Sequence, residues 1–232
     1  MIQIRHANDR GRTKIAWLDS RHTFSFGDYY DPANSRFRAL RVMNEDWVAP
    51  GQGFGMHGHN DMEIVTIVLS GSLAHQDSLG NGEILRPGEL QRMTAGTGIR
   101  HSEFNPSPKE TTHLYQIWLL PSQKGLTPGY EQRPFPADAR KGRWQVVAAP
   151  DGRDGALFIH QDATLSLATL NDRESVSYEF APGRHGWLQV LKGSISLQNQ
   201  PVEAGDGVAI SDESRFDLQA TSPAELLLFD LA

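Results

Sequence analysis

Gly51-Gln-Gly-Phe-Gly-Met-His57-Gly-His59-Asn-Asp-Met-Glu63-Ile-Val-Thr-Ile-Val-Leu-Ser-Gly71, followed about forty residues later by Gly96-Thr-Gly-Ile-Arg-His101-Ser-Glu103-Phe-Asn105, is the part of the chain whose reading decides the fold. It holds two short pairs, His57-x-His59 and His101-x-Glu103. On a β-strand, residues i and i+2 leave the same face with Cα atoms roughly 6.6 Å apart, so each pair can aim both its donors at one point. Two such strands side by side gather three imidazoles and one carboxylate. That set suits a borderline divalent transition metal, because neutral imidazole binds iron, zinc, copper or nickel well and the carboxylate cancels part of the cation's charge. Four protein ligands on a metal that prefers six leave room for chemistry.

The spacing carries more than four polar residues. Gly51, His57-x-His59, Glu63 and Gly71 resemble the first cupin motif, with a last gap one residue longer and the preceding one correspondingly short. Gly98-x-x-His101-x-x-x-Asn105 resembles the tail of the second cupin motif, whose Pro-x-Gly head is replaced here by Gly96-Thr97-Gly98. Asp19-Ser20, His22 to Phe26, Tyr29 to Pro32, Asp61-Met62-Glu63, His75 to Ser78 and Thr97 to Asn105 complete a resemblance to the pirin family, close to its bacterial quercetin 2,3-dioxygenases. The resemblance is dense from Trp17 to Trp118 and thins towards the C-terminus. Many cupins use the glutamate of the first motif, here Glu63, as fourth ligand. The pirin pattern uses the one matching Glu103, which also shares a strand face with His101.

A chain of 232 residues can be one domain or two, and buries roughly three-quarters of its unfolded surface without needing a staple. It has no cysteine, which excludes disulfides, thiolate-ligated zinc and iron-sulfur clusters. A net charge of −6 argues against a nucleic-acid footprint, which needs clustered Lys and Arg. The first ten residues lack the apolar core of a signal peptide, and no apolar run is long enough for a membrane helix. The expected location is the cytoplasm, with no membrane partner and a monomeric state.

Short aliphatic runs at Arg38–Met43, Met62–Leu69, Leu114–Leu120, Thr164–Leu170, Val176–Phe180, Trp187–Leu191 and Leu226–Phe229 read as strands, and no segment keeps a long 3.6-residue period. The fold class is therefore all-β with little helix. Val68-Leu-Ser-Gly-Ser-Leu73 echoes Val190-Leu-Lys-Gly-Ser-Ile195, and Pro87-Gly-Glu89 echoes Ala204-Gly-Asp206, so the chain reads as two tandem cupin barrels, a bicupin. The boundary falls in the Pro- and Gly-rich stretch 121–141, giving a metal-binding barrel over 1–133 and a degenerate one over 134–232. Prolines at 121, 128, 134 and 136 predict no continuous strand there. In the second half Gly183-Arg-His185-Gly-Trp187 stands where His57-x-His59 is sought, and Ser211 to Ser214 contains no histidine, so no second metal is expected.

Other polar residues are given ordinary roles. His75 and His160, each in a His-Gln-Asp triplet, read as turn residues with Asx-type hydrogen bonds. His113 is a candidate partner behind the ligands. Phe24, Phe26, Tyr29 and Tyr30 read as core rather than as a stacking surface, and Arg36, Arg38 and Arg41 as solvated or paired with Glu45 and Asp46.

The resemblance implies one divalent metal, iron(II) first, with zinc, nickel, copper, cobalt or manganese as alternatives, held by His57, His59, His101 and Glu103. It implies a dioxygenase acting on a flavonol such as quercetin, with dioxygen as co-substrate and Glu103 as base. The alternative it carries is a regulatory protein that binds a transcription factor or a metabolic enzyme, the metal serving as a structural or redox-sensing element. A structural metal-stabilised cupin without turnover is a third reading.

Overall fold

The computed structural model describes residues 1–232 and contains twenty-two strands, four short 3-10 turns and no α-helix. No helix is long and apolar enough to cross a membrane. The chain divides into two compact units: one is Gly11–Phe135 with Ile159–Gln161, the other Met1–Arg10, Pro136–Phe158 and Asp162–Ala232. Each is a cupin-type barrel with a seven-stranded and a four-stranded sheet.

In the first unit the larger sheet runs Gly129–Pro134, Glu89–Thr94, Glu63–Ser70, Thr112–Leu119, Leu40–Val48, Leu18–His22 and Gly11–Lys14, in that spatial order. The smaller runs Gly53–His59, Ile99–Phe104, Leu73–Asp77 and Gly82–Leu85. The central strand Glu63–Ser70 is buried on both faces up to its last residue, as its unbroken Ile-Val-Thr-Ile-Val-Leu run requires. Alternation is cleaner on strands with one wet face: in Arg215–Ala220 of the second unit, Phe216, Leu218 and Ala220 are buried while Arg215, Asp217 and Gln219 are exposed.

The inner face of the first barrel is layered. Leu114 pairs in register with Val68, and with Leu18, Val48, Leu73 and Leu85 forms one apolar cluster. Ile64, Met93, Ala95 and Ile99 form another, against which Trp118 packs. Between them lies a polar row, five strands wide: His22 opposite Asn44, Asn44 opposite Gln116, Gln116 opposite Thr66, Thr66 opposite Gln91. All five are buried.

The repeat seen in sequence has a backbone cause. Gly71 and Gly193 each turn the chain out of a central strand with φ of +75° and +74°, a region favourable only to glycine. A Cβ on Gly193 would also lie 2.0 Å from the Pro223 carbonyl oxygen.

Three expectations meet a different arrangement. Met1–Arg10 lies with the second unit and not with residues 11–133, because Ile2–Arg5 pairs with Gly207–Ile210, and Ile2 and Ile4 pack on the second core. Ala7 N–H donates to Asp206 Oδ1 at 2.6 Å. Within the proline-rich stretch, Gly129–Pro134 does form a strand; it fits between prolines because it is the sheet's edge, with Pro134 its last residue. Finally, His185 opens the strand His185–Lys192, which holds in its sheet the place of Glu63–Ser70. The counterpart of Gly53–His59 by sheet order is instead Ser175–Glu179.

Candidate metal centre

The two ligand pairs lie on neighbouring antiparallel strands, Gly53–His59 and Ile99–Phe104, with His57 opposite His101. Their approach is close: a Cβ on Gly53 would sit 2.2 Å from the Glu103 carbonyl oxygen, so a side chain there would push the strand carrying Glu103 away. Between His101 and Glu103 the register slips, leaving one more residue on the facing strand. Such an irregularity re-aims side chains. Here the Gly55 carbonyl accepts a hydrogen bond from His57 Nδ1 at 2.8 Å. Because a carbonyl can only accept, Nδ1 carries the proton and His57 Nε2 presents its lone pair.

That Nε2 lies 3.0 Å from His101 Nε2, and the ring of His59 is 4.8 Å and 4.9 Å from those of His57 and His101. The ligand atoms of His57, His59 and His101 all fall within 4.8 Å of one another. Those of His101, Glu103 and His75 form a second such group, so His101 joins the imidazoles to the carboxylate. Glu103 is buried. Its Oε2 accepts from Gln116 Nε2 at 2.6 Å, while Oε1 has no partner.

The donor set fits a divalent cation on three counts. Two nitrogens each about 2.1 Å from a common ion, at right angles, stand about 3 Å apart, as the facing Nε2 atoms do. Burial, reinforced by the charge of His57, depresses His59 to about 4, and burial with the neighbouring histidines depresses His101 to about 3, so both imidazoles are neutral. Burial first, then the charge of Asp46, lifts Glu103 to about 8 against the opposing influence of the nearby Gln91 and Gln116 amides. A buried carboxyl with an orphaned oxygen beside these imidazoles lacks only positive charge.

The cluster opens on a cavity of about 450 Å³. Trp17, Leu18, Phe26, Phe54 and Trp118 form its apolar walls, with Ser20, His22, Asn44, Asp46 and Gln116 as polar lining. That volume lies in the range of about 300–1,000 Å³ typical of small-molecule sites. Asp46 is itself lifted to about 7, burial and the charge of Glu45 outweighing a hydrogen bond from Ser20.

Glu63 is placed elsewhere. Its Oε2 accepts from Thr94 Oγ1 at 3.1 Å and from the His160 N–H at 3.2 Å, in neither ligand group. His160 thus serves Glu63 rather than a turn. His75 is the residue that sequence reasoning undervalued: its neighbour Asp77 does make the turn, accepting from Leu79 N–H and Asn81 N–H, but His75 is buried against the site. Its Nδ1 receives the Gln91 amide at 3.4 Å, its Nε2 donates to Asp77 at 3.1 Å, and its ring stacks on Tyr130 at 4.6 Å. A two-residue offset from Asp77 signals a turn; only pairing opposite Glu103 reveals the second role.

His113 is bonded to Glu45 at 2.8 Å and stacked on Trp47, outside both ligand groups. Arg41 donates to the Ser25 and Ser35 carbonyls rather than to Glu45 or Asp46. Of the aromatic run, Phe24 is core, Phe26 lines the cavity, Tyr29 stacks on His22 and Tyr30 is exposed.

The pirin family profile matches residues 3–119, and a profile described as the quercetinase C-terminal cupin domain matches 146–231. The chain belongs to the pirin family. This pirin is 53% identical over 232 residues to quercetin 2,3-dioxygenase of Escherichia coli K12, covering 100% of this chain and 99% of that protein. Its structure superposes on that of YhhW from E. coli with a TM-score of 0.97 at 50% identity, covering 100% and 98% of the two chains. The bacterial pirin YhhW in complex with nickel(II) gives 0.95 at 51% identity, covering 100% and 99%.

Proposed function

We propose that this pirin is a metal-dependent dioxygenase that opens the ring of a flavonol of the quercetin type. One divalent metal would be held by His57, His59, His101 and Glu103. Iron(II) is the metal we expect first, and nickel(II) is the ion bound by the E. coli relative. The observation that supports the reading is a cluster of three imidazoles joined through His101 to a buried, half-partnered carboxyl at an aromatic-walled cavity.

The chain's own residues divide the work. Trp17, Phe26, Phe54 and Trp118 offer flat apolar walls to a planar ring system and limit water around it. Bound metal supplies Lewis acidity and a common template for the flavonol and dioxygen. Gln116 holds Glu103 Oε2, while Oε1 has no hydrogen-bond partner. Glu103 would accept the proton of the flavonol 3-hydroxyl, since general-base catalysis needs a carboxylate within hydrogen-bond reach of that oxygen. The electron-rich flavonolate then reacts with dioxygen. Both oxygen atoms enter the ring-opened ester, and one ring carbon leaves as carbon monoxide.

The test is aerobic incubation of the metal-loaded protein with quercetin, following loss of the flavonol's near-ultraviolet band, oxygen uptake and carbon monoxide. Equal molar consumption of flavonol and oxygen with release of carbon monoxide is expected. Absence of both gas changes overturns the reading.

A further inference from the structure

The cavity holds one charged group that the mechanism above does not use. Asp46 lies on Leu40–Val48, opposite Ser20 on one side and Leu114 on the other. It is 3% exposed and lines the cavity together with Ser20. Its Oδ1 has no hydrogen-bond partner, and the cavity wall contains no Lys or Arg to balance it. A buried carboxyl oxygen left unpaired is costly, because it has given up its hydrogen bonds to water and gained none in return. The neighbouring walls are aromatic, which suits a planar ring that carries a hydroxyl substituent.

We propose that Asp46, supported by Ser20, is a specificity-determining residue that accepts a hydrogen bond from a second hydroxyl of the aromatic substrate, distinct from the 3-hydroxyl handled by Glu103. This rests on the flavonol reading above. A site built to hydrogen-bond a hydroxyl rejects the analogue that lacks it, because the protein group is then left unpaired.

The experiment compares two ligands and three proteins, all metal-loaded and without oxygen so that no turnover occurs. Quenching of the cavity tryptophans, Trp17 and Trp118, reports binding of quercetin and of 3-hydroxyflavone, which keeps only the 3-hydroxyl. Wild type is expected to prefer quercetin. Asp46→Leu should weaken quercetin about tenfold or more and 3-hydroxyflavone less than about twofold. Asp46→Asn, which keeps an acceptor oxygen, should restore most of the preference. Equal loss for both ligands, or none for quercetin, overturns the assignment and leaves the flavonol reading standing. A wild-type protein that binds neither ligand removes the flavonol reading and this assignment with it. Should Asp46→Leu fail to fold, the wild-type complex with quercetin decides: a substrate hydroxyl within hydrogen-bond distance of the Asp46 carboxyl supports the assignment, and its absence there overturns it.

Discussion

The two barrels share a strand plan and differ in what fills them. In the first, the strands Gly53–His59 and Ile99–Phe104 present His57, His59, His101 and Glu103. In the second, the strands at the same places in the sheet order, Ser175–Glu179 and Arg215–Ala220, present Tyr178, Phe216 and Leu218. Phe180 joins them, 5.0 Å from Tyr178 and 5.8 Å from Phe216 between ring centroids. The row beneath changes in step. Asn44, Gln116, Thr66 and Gln91 of the first barrel are matched by Ser166, Leu228, Leu188 and Val208 of the second. Backbone pairing therefore sets the plan, while one row of side chains decides whether the interior is a packed core or a site. Buried amides stay where they have partners, and Gln116 and Gln91 have theirs in Glu103 and His75.

The largest contrast should come from removing one histidine in each barrel. His101→Ala takes out the ligand common to both clusters, and elemental analysis should find the metal gone and turnover with it. His185→Ala, whose target is bonded to Ser211 Oγ at 3.0 Å, should leave metal content unchanged. Metal loss in the second variant alone would reverse the roles assigned to the barrels.

Within the first barrel, Glu103→Gln separates holding the metal from moving the proton. The amide keeps an oxygen donor but no base, so turnover should fall about 10²–10⁴-fold while most of the metal stays bound. Steady-state rates normalised to metal content read the difference. A variant that loses both in proportion would make Glu103 a ligand only.

Much of this contrast was legible in the chain, and what was not has a common cause. The candidate ligand pairs stand out because period-two spacing survives in sequence. The polar row was not, since His22, Asn44, Thr66, Gln91 and Gln116 come one from each of five strands, and only the register brings them into line. His75 was hidden for the same reason, its relation to Glu103 being a cross-strand pairing. The displacement of Met1–Arg10 went unseen because a four-residue strand with two isoleucines has too short a period to show which sheet it joins. His185 precedes a Val-Leu-x-Gly turn as His57 does, but the strand order gives the place of Gly53–His59 to Ser175–Glu179.

The filled and hollow interiors should also answer differently to truncation. Phe216→Ala removes a ring that is 2% exposed within an aromatic cluster and should cost about 3–5 kcal/mol, read as a lower transition in calorimetry. Phe26→Ala, on a wall already facing the cavity, should cost less than about 2 kcal/mol. Similar losses from both would mean that the first interior is as tightly packed as the second.

A smaller effect concerns pH. Asp46 sits at about 7 in the folded chain against an ordinary value of 3.8, so its burial opposes folding above pH 7. The opposition is relieved as pH falls from 7 towards 4, where the folded form holds the proton and the unfolded form begins to gain it. Asp46→Asn should therefore stabilise metal-free protein at pH 8 and change little at pH 4, each kcal/mol appearing as about 2–4 °C in melting temperature. A shift of the same size at both values would assign the effect to shape and not to charge.

In the reading proposed above, one barrel of this pirin holds the metal and the other holds none. Anomalous diffraction at the absorption edge of the loaded metal tests it in a single map. One peak per chain is expected, enclosed by His57, His59, His101 and Glu103; a peak inside the second barrel, or none among those four side chains, would overturn that assignment.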